Sequence, residues 1–481
     1  MVFSFAWGDQ SPEVVKQGSP LTYAPVPNAD LFQQRLEHNA DLAARGLLNQ
    51  TAILSDNPHG ASVLGNASDA KNLRSAAIRP PTTVRPPVRN PIPISSCDQN
   101  GPQITRPGTY VLTADLTADF TCLKLSSVQN VTLDCGGHKI QTLHDPSIVA
   151  ELSSHVTIEH CDTDFPGPFP SIDVNGVDYL SCVDNRTSGI TVFDSHDGRI
   201  AGNTIEGGEY VQSYSSRMQI VDNHIAVHDP TQAVYGAIYS SFGNNNTFSH
   251  NQIDGGWSGD PSAEEDSGAA DDGVLLFYEN GDAITDNQIA RCYDTGVETV
   301  GAIRDLTIAN NQISHTSIGV GEWYNTSWDH VTLSNNQVSD AYIFFQGDYD
   351  QRPVYGPLPK IVYFSHVTFD GNTFSSPREF APGIPGYSVE IYLPPTFHAS
   401  GWPSRSVVQD NVFINNHFDT SVAGPDLIPS RAFQDGGGNV WGPMTNGWPN
   451  GQTPALSSVP LEPESASYQQ IQRLRARRVT P

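Results

Sequence analysis

Three short stretches decide the fold: ITDNQI at 284–289, IANNQI at 308–313 and LSNNQV at 333–338. Each belongs to a unit that reads apolar-x-apolar, two or three residues, Asn, x, apolar. The unit recurs upstream as IAGNTI (200–205), IVDNHI (220–225) and FSHNQI (248–253), and downstream as FDGNTF (369–374) and VQDNVF (408–413). A weaker copy, CVDNRT, stands at 182–187, and VTLDCGGHKI (131–140) and VTIEHC (156–161) look like opening rungs. The apolar pattern stops after about four residues each time, too soon for a helix and right for a short strand. Taking Asn as the marker gives Asn185, Asn203, Asn223, Asn251, Asn287, Asn311, Asn336, Asn372 and Asn411, at intervals of 18 to 39 residues. A fixed unit with variable insertions is what a solenoid accepts, because each coil touches only its neighbours. Asn suits the turn: it tolerates left-handed backbone and can bond its counterparts above and below.

Composition agrees. Of 481 residues only 16% are charged, while Gly (41) and Pro (36) are abundant, as in turn-rich and strand-rich proteins. The net charge of −27 repels phosphate backbones and anionic lipid, so nucleic acid and membrane surface are poor partners. No run approaches the roughly 20 apolar residues of a membrane span. Four of the six cysteines, Cys97, Cys122, Cys135 and Cys161, lie where the coils begin, with Cys182 and Cys292 further on. A Cys97–Cys122 bridge would clamp the first rungs and suits an oxidising compartment, the alternative being buried thiols. The opening MVFSFAWGDQ is short and uncharged for a signal peptide, so a secreted or cell-surface location is expected from the rest of the chain.

The coils are flanked by other material. Residues 1–78 form a heterogeneous extension in which 28–49 can make an amphipathic helix, and RPPTTVRPPVRNPIP (79–93) reads as a polyproline-like linker running to 95. The repeat domain is expected over 96–442 and a peripheral tail over 443–481.

With these rungs and the opening CDQNGPQITRPGTYVLTADLTADFTCLKL followed by NVTLDCGGHKI, the chain resembles the pectate-lyase-like superfamily, in its carbohydrate-binding and sugar hydrolase repeat type. The resemblance covers roughly 97–440. It implies an all-β, single-stranded, right-handed parallel β-helix with an irregular N-terminal extension, acting on or binding a polysaccharide or oligosaccharide. It implies less about activity, because the same repeat hosts hydrolases, lyases, epimerases and binding proteins.

Stacked coils turn distant residues into neighbours about 4.8 Å apart. Aligned on Gly-Val, three coils read DDGVLLFYE (271–279), DTGVETVGA (294–302) and SIGVGEWYN (317–325). Asp271 and Asp294 then share a column, and Glu298 and Glu322 share another if one bulge intervenes. A glycosidase needs two carboxyls about 5–5.5 Å apart to retain configuration or 6.5–9.5 Å apart to invert it, so Glu298, Glu322, Asp271, Asp272 and Asp294 are the candidate catalytic residues. Crowding of these acids is expected to keep one protonated. Trp257, Tyr278, Trp323, Tyr324 and Tyr349, with Tyr293 and Tyr355 nearby, are candidate sugar-stacking residues. Insertions at 254–270 and 346–361 would wall a cleft.

Plainer readings stand beside these. A lone outward acid on a solenoid is ordinarily a solvated group, and Glu264, Glu265 and Asp266 read as a solvated run rather than a Ca²⁺ site. His224, His250, His315 and His330 fall in or near turns, where no ligand role is expected, and no metal site is assigned. Asp271-Asp272 resembles the paired Asp of polygalacturonase-type hydrolases, but the companion Asn-Thr-Asp, Gly-His-Gly and Arg-Ile-Lys motifs are absent. No Lys precedes Lys360 in the cleft, which weakens a lyase reading. The expectation is a glycoside hydrolase or transglycosylase needing no cofactor. The alternatives are a Ca²⁺-assisted lyase or epimerase and a non-catalytic glycan-binding surface protein.

Overall fold

A computed structural model describes residues 90–97, 102–165, 170–227, 234–258, 269–348, 361–379, 386–393, 396–399, 402–428 and 430–442, all within one compact unit, 82–457. The helix expected at 28–49, most of the Pro-rich stretch, the tail from 443, and Tyr349 and Tyr355 lie outside them.

The described residues form strands, turns and bends, with a single 3-10 turn at Ser430–Ala432. The motif explains the coil. In ITDNQI, Ala283–Thr285 is one strand, Asp286 and Asn287 make the corner, and Gln288–Ala290 is the next strand. Ala283–Thr285 pairs in parallel with Thr307–Ala309 one coil on, and that strand with Thr332–Ser334. Gln288–Ala290 pairs likewise with Gln312–Ser314 and then Gln337–Ser339. A third stack runs through Val234–Ser241, Ala270–Phe277, Thr295–Arg304, Ile318–Asp329 and Ile343–Asp348. The molecule is a right-handed parallel β-helix, the hand that parallel crossovers of L-residues prefer. Only Thr396–Ala399 and Trp402–Gln409 pair antiparallel among the described strands.

The two apolar positions of the motif become two columns of the core. Ile220, Phe248, Ile284, Ile308, Leu333, Phe369 and Phe413 follow one another up one wall, and Ile225, Ile253, Ile289, Ile313, Val338, Phe374 and Phe418 up the next. All are at most 1% exposed, and each such burial contributes roughly 1.5–3 kcal/mol.

Between the columns runs the Asn ladder. Asn287 donates Nδ2 to Phe248 O and to Asn311 Oδ1, and its backbone N–H also donates to Asn311 Oδ1, at 2.9, 2.9 and 3.0 Å. The pattern repeats from Asn185 through Asn336 to Asn372. Two details correct the sequence reading. The left-handed residue is the one before the marker, for example Asp286, Asn310 and Asn335 at φ 59, 59 and 54. The marker itself must keep its amide aligned with the stack. The rung after Asn372 is Asn416, not Asn411, with Nδ2 to Oδ1 at 2.9 Å. The core pairing of Phe413 with Phe369 fixes that register, so the unit after FDGNTF is FINNHF rather than VQDNVF, and Asn439 accepts from Asn416 one coil further on.

Cys97 is bonded to Cys122, as expected, and Cys135 to Cys161, while Cys182 and Cys292 are buried thiols. Cys161 occupies the marker position one coil before Asn185, whose Oδ1 accepts its N–H at 2.9 Å. The first described strand, Ile92–Ile94, lies within the Pro-rich stretch and pairs with Tyr110–Leu112.

Candidate active site

The Gly-Val pair places the acids. Gly273, Gly296 and Gly319 each turn the bare face of the backbone toward the interior, where a Cβ would come within 2.3 Å of Ile289, 2.3 Å of Ile313 and 2.7 Å of Val338. Nothing larger fits there, so the three strands align on these glycines. Asp272 then pairs with Thr295, Val274 with Val297 and Leu275 with Glu298. Asp294 N–H donates to Asp271 O at 2.8 Å, which sets those two side by side on successive coils.

This register gathers three acids on the outer side of the sheet. One carboxylate oxygen from each of Asp272, Asp294 and Glu298 lies within 4.8 Å of the others, and all three residues are buried. Asp271 is half-buried at the margin. Thr295 ties the group together: its N–H donates to Asp272 Oδ1 at 3.2 Å and its hydroxyl to Glu298 Oε2 at 3.5 Å. Cys292 lies behind. Burial first, then the nearby Asp272, Asp254 and Asp271, pushes its thiol well above the usual range, so it stays neutral.

Glu322 is not part of this group. The expected bulge comes too late: the register slips only beyond Val300, where Ala302 pairs with Ser327. Glu298 therefore pairs with Gly321, and Glu322 with Thr299. Leu276, Thr299, Glu322, Gly347 and Ile391 form one column, and Leu276 and Ile391 belong to the core. Thr299 Oγ1 accepts the indole N–H of core Trp328 at 2.9 Å. Glu322 thus has the parity of the interior, because no bulge intervenes between Glu298 and Glu322.

The aromatic residues divide in the same way. Trp257 is 1% exposed, edge-on to Tyr293, with the Arg378 guanidinium 5.0 Å from its ring centroid, so it packs rather than presents a face. Tyr278 stacks on Phe242 at 5.6 Å and 7°, and Phe242 on Tyr214 at 5.1 Å and 14°. The other face of Tyr278 is covered by Gly301, whose Cβ would lie 2.6–2.7 Å from three ring atoms. With both faces taken, this ring offers only an edge. Trp323 and Tyr324 lie in the strand Ile318–Asp329, with side chains outside the described residues, as is Tyr349.

The sequence reading missed the continuation of the outward column. From Glu298 it passes through Gly321 to Gln346, Glu390 and Asp426. Gln346 Nε2 donates to Glu390 Oε2 at 2.7 Å, and burial raises the Asp426 carboxyl above its ordinary range. Their separations in sequence hid them, since the coils here carry long insertions. Chemically, three close carboxyls can hold and pass a proton, support developing positive charge, or supply oxygens to Ca²⁺, which takes such ligands at 2.3–2.6 Å.

Residues 227–374, which include the three acids, match the family described as "Right handed beta helix region". No curated protein sequence matches the chain. Among solved structures it is similar to the periplasmic alginate epimerase AlgG, at 10% identity and TM-score 0.33, over 65% of this chain and 77% of that one. A GH87 alpha-1,3-glucanase catalytic domain in complex with nigerose matches at 10% identity and TM-score 0.30, over 73% and 64%. Tailspike protein 3 of bacteriophage CBA120 matches at 10% identity and TM-score 0.33, over 59% of this chain, which spans 47% of the tailspike. Likenesses this distant assign no activity to the chain.

Proposed function

We propose that this chain is a secreted or cell-surface enzyme acting on a polysaccharide, a glycoside hydrolase or transglycosylase in which Asp272, Asp294 and Glu298 supply the acid and the nucleophile or base. The observation that carries the reading is the approach of three buried carboxyls from successive coils to within 4.8 Å. Asp271 serves as a margin residue, and Glu322 has no catalytic part. The two disulfides favour export.

The test is a screen of plant and microbial polysaccharides for new reducing ends, with Asp272→Asn, Asp294→Asn and Glu298→Gln beside the parent. Loss of about 10²-fold or more in at least two variants, with unchanged circular dichroism and melting, is expected. Full activity in all three would refute the assignment. The same three acids also suit Ca²⁺, which favours a lyase or epimerase as the second reading. An unsaturated product absorbing in the ultraviolet and lost with a chelator would select a lyase, and a chelator-sensitive change in sugar configuration without chain cleavage an epimerase. Saturable glycan binding with no product of either kind would select a binding protein.

A further inference from the structure

A second constellation lies apart from these acids, at the corner that follows the strands Ile318–Asp329 and Ile361–Ser365. His330 and His366 occupy the same left-handed position of successive coils, at φ 57 and 55. Their rings stack at 4.4 Å and 14°. The two residues stand 36 apart in sequence, so no local spacing announces them. Asp329 reaches both: its Oδ1 lies 3.0 Å from His330 Nδ1 and 3.1 Å from His366 Nδ1. Ser365 Oγ donates to the same oxygen at 2.8 Å.

Three polar groups therefore crowd one carboxylate oxygen, more than its two lone pairs accommodate well. Elsewhere in the described coils an imidazole facing an Asp is single, as in His138 with Asp115 and His160 with Asp134. The second imidazole sets this corner apart. Its ligand atoms all lie within 4.8 Å of one another, and both His rings are exposed, leaving a side open to water.

From this convergence we infer that His330 Nδ1, His366 Nδ1 and the Asp329 carboxylate form a binding site for a divalent late transition metal of the Zn²⁺ class. Two imidazoles and one carboxylate suit Zn²⁺, Co²⁺ or Ni²⁺. Bonds of about 2.0–2.2 Å in a tetrahedron separate neighbouring ligands by roughly 3.3–3.6 Å, a few tenths more than the two nitrogen–oxygen distances here. Imidazole lone pairs lie in the ring planes, so binding turns the two exposed rings out of their nearly parallel stack until both Nδ1 atoms face the ion. Each imidazole gives a lone pair at Nδ1 and keeps its proton at Nε2, where Asp410 Oδ2 lies 3.7 Å from His366. The ion ties two successive coils together and relieves the crowding on Asp329 Oδ1. This site is separate from Asp272, Asp294 and Glu298, and neither proposal needs the other.

The test titrates Zn²⁺ into the metal-free full chain at pH 7.5 by calorimetry and follows Co²⁺ absorption as a second readout. One ion per chain is expected, with a rise in melting temperature. His330→Gln and His366→Gln should each weaken binding about tenfold or more and abolish that rise. His138→Gln, at a single His–Asp pair, should leave binding unchanged. An Asp272→Asn, Glu298→Gln double variant should also bind as the parent does. No saturable binding, or binding undiminished in both His330→Gln and His366→Gln, overturns the inference. Both variants melt without metal as the folding control.

Discussion

Glu279 and Asp282 show how much one residue can change the response to pH. In the coils that include Asn246 and Asn411, the second corner places an Asn whose Oδ1 accepts a backbone N–H from the coil before. Asp282 stands at that position instead, accepting Asn246 N–H at 2.6 Å. Buried Glu279 lies beside it, receiving Ser240 Oγ at 2.5 Å and Asn246 Nδ2 at 3.3 Å. Burial, above all, pushes Glu279 from 4.5 up to about 7, and burial together with Glu279 raises Asp282 well above its usual range. The folded chain therefore holds protons that the unfolded chain releases. Stability should fall as pH rises through the interval from 4.5 to about 7, by up to about 1.4 kcal/mol per unit for each proton. Asp282→Asn, which places there the residue that the coil before carries as Asn246, should flatten that dependence and raise the melting temperature above pH 7. Melting curves between pH 4 and 8 on parent and variant check this; parallel curves would show that the pair does not govern it.

An element here is a strand plus its corner, and its energy is shared along the stack. Asn311 makes the case. It donates to Ile284 O and Asn336 Oδ1 and accepts from the Asn287 backbone and side chain, all at 2.9–3.0 Å. Asn311→Leu removes four bonds and leaves the buried Asn287 donors and Ile284 O unpaired in the coil before, each costing about 1–3 kcal/mol, while Asn336 Oδ1 keeps the Asn311 backbone N–H. A loss of about 3 kcal/mol or more in denaturant unfolding is expected, against under 1 for the exposed neighbour Asn310→Gly, whose left-handed backbone glycine accepts. Strand register acts at the same scale. One slip would turn every side chain to the opposite face, and the Gly296–Gly319 alignment is what sends Glu298 outward and Glu322 inward.

For the whole molecule, the ends of the stack are the vulnerable points, because a terminal coil has a neighbour on one side only. Toward the C-terminal end, aromatic side chains replace Ile: Phe369 stacks on Phe413 at 4.3 Å and 8°, and Trp441 packs on Phe413 and Phe418. Near the other end, the Cys97–Cys122 and Cys135–Cys161 bridges join successive coils across 25 and 26 residues. Loops of that length correspond to about 3.5 kcal/mol per bridge in the chain-entropy account. A Cys97→Ser, Cys122→Ser variant should exchange amide hydrogens faster over 103–142 and leave 284–313 protected. Uniformly faster exchange would mean that the bridge supports the whole stack.

The repeat of an apolar residue, Asn and a second apolar residue was enough to read parallel stacking, the core columns and the first disulfide, because those depend on side-chain alternation within one short unit. It also pointed to five acids, Asp271, Asp272, Asp294, Glu298 and Glu322, since a shared Gly-Val pair aligns the coils that carry them, but it set Glu298 beside Glu322 rather than beside Asp272 and Asp294. What needed the folded coils was everything that turns on where extra residues are absorbed. The interior parity of Glu322, the marker role of Asn416, the covered faces of Trp257 and Tyr278, and the meeting of His330 with His366 all follow from insertions of unequal length between fixed rungs. A chain can announce its period locally; which side chains meet across that period is settled only when the stack closes and packing fixes the register.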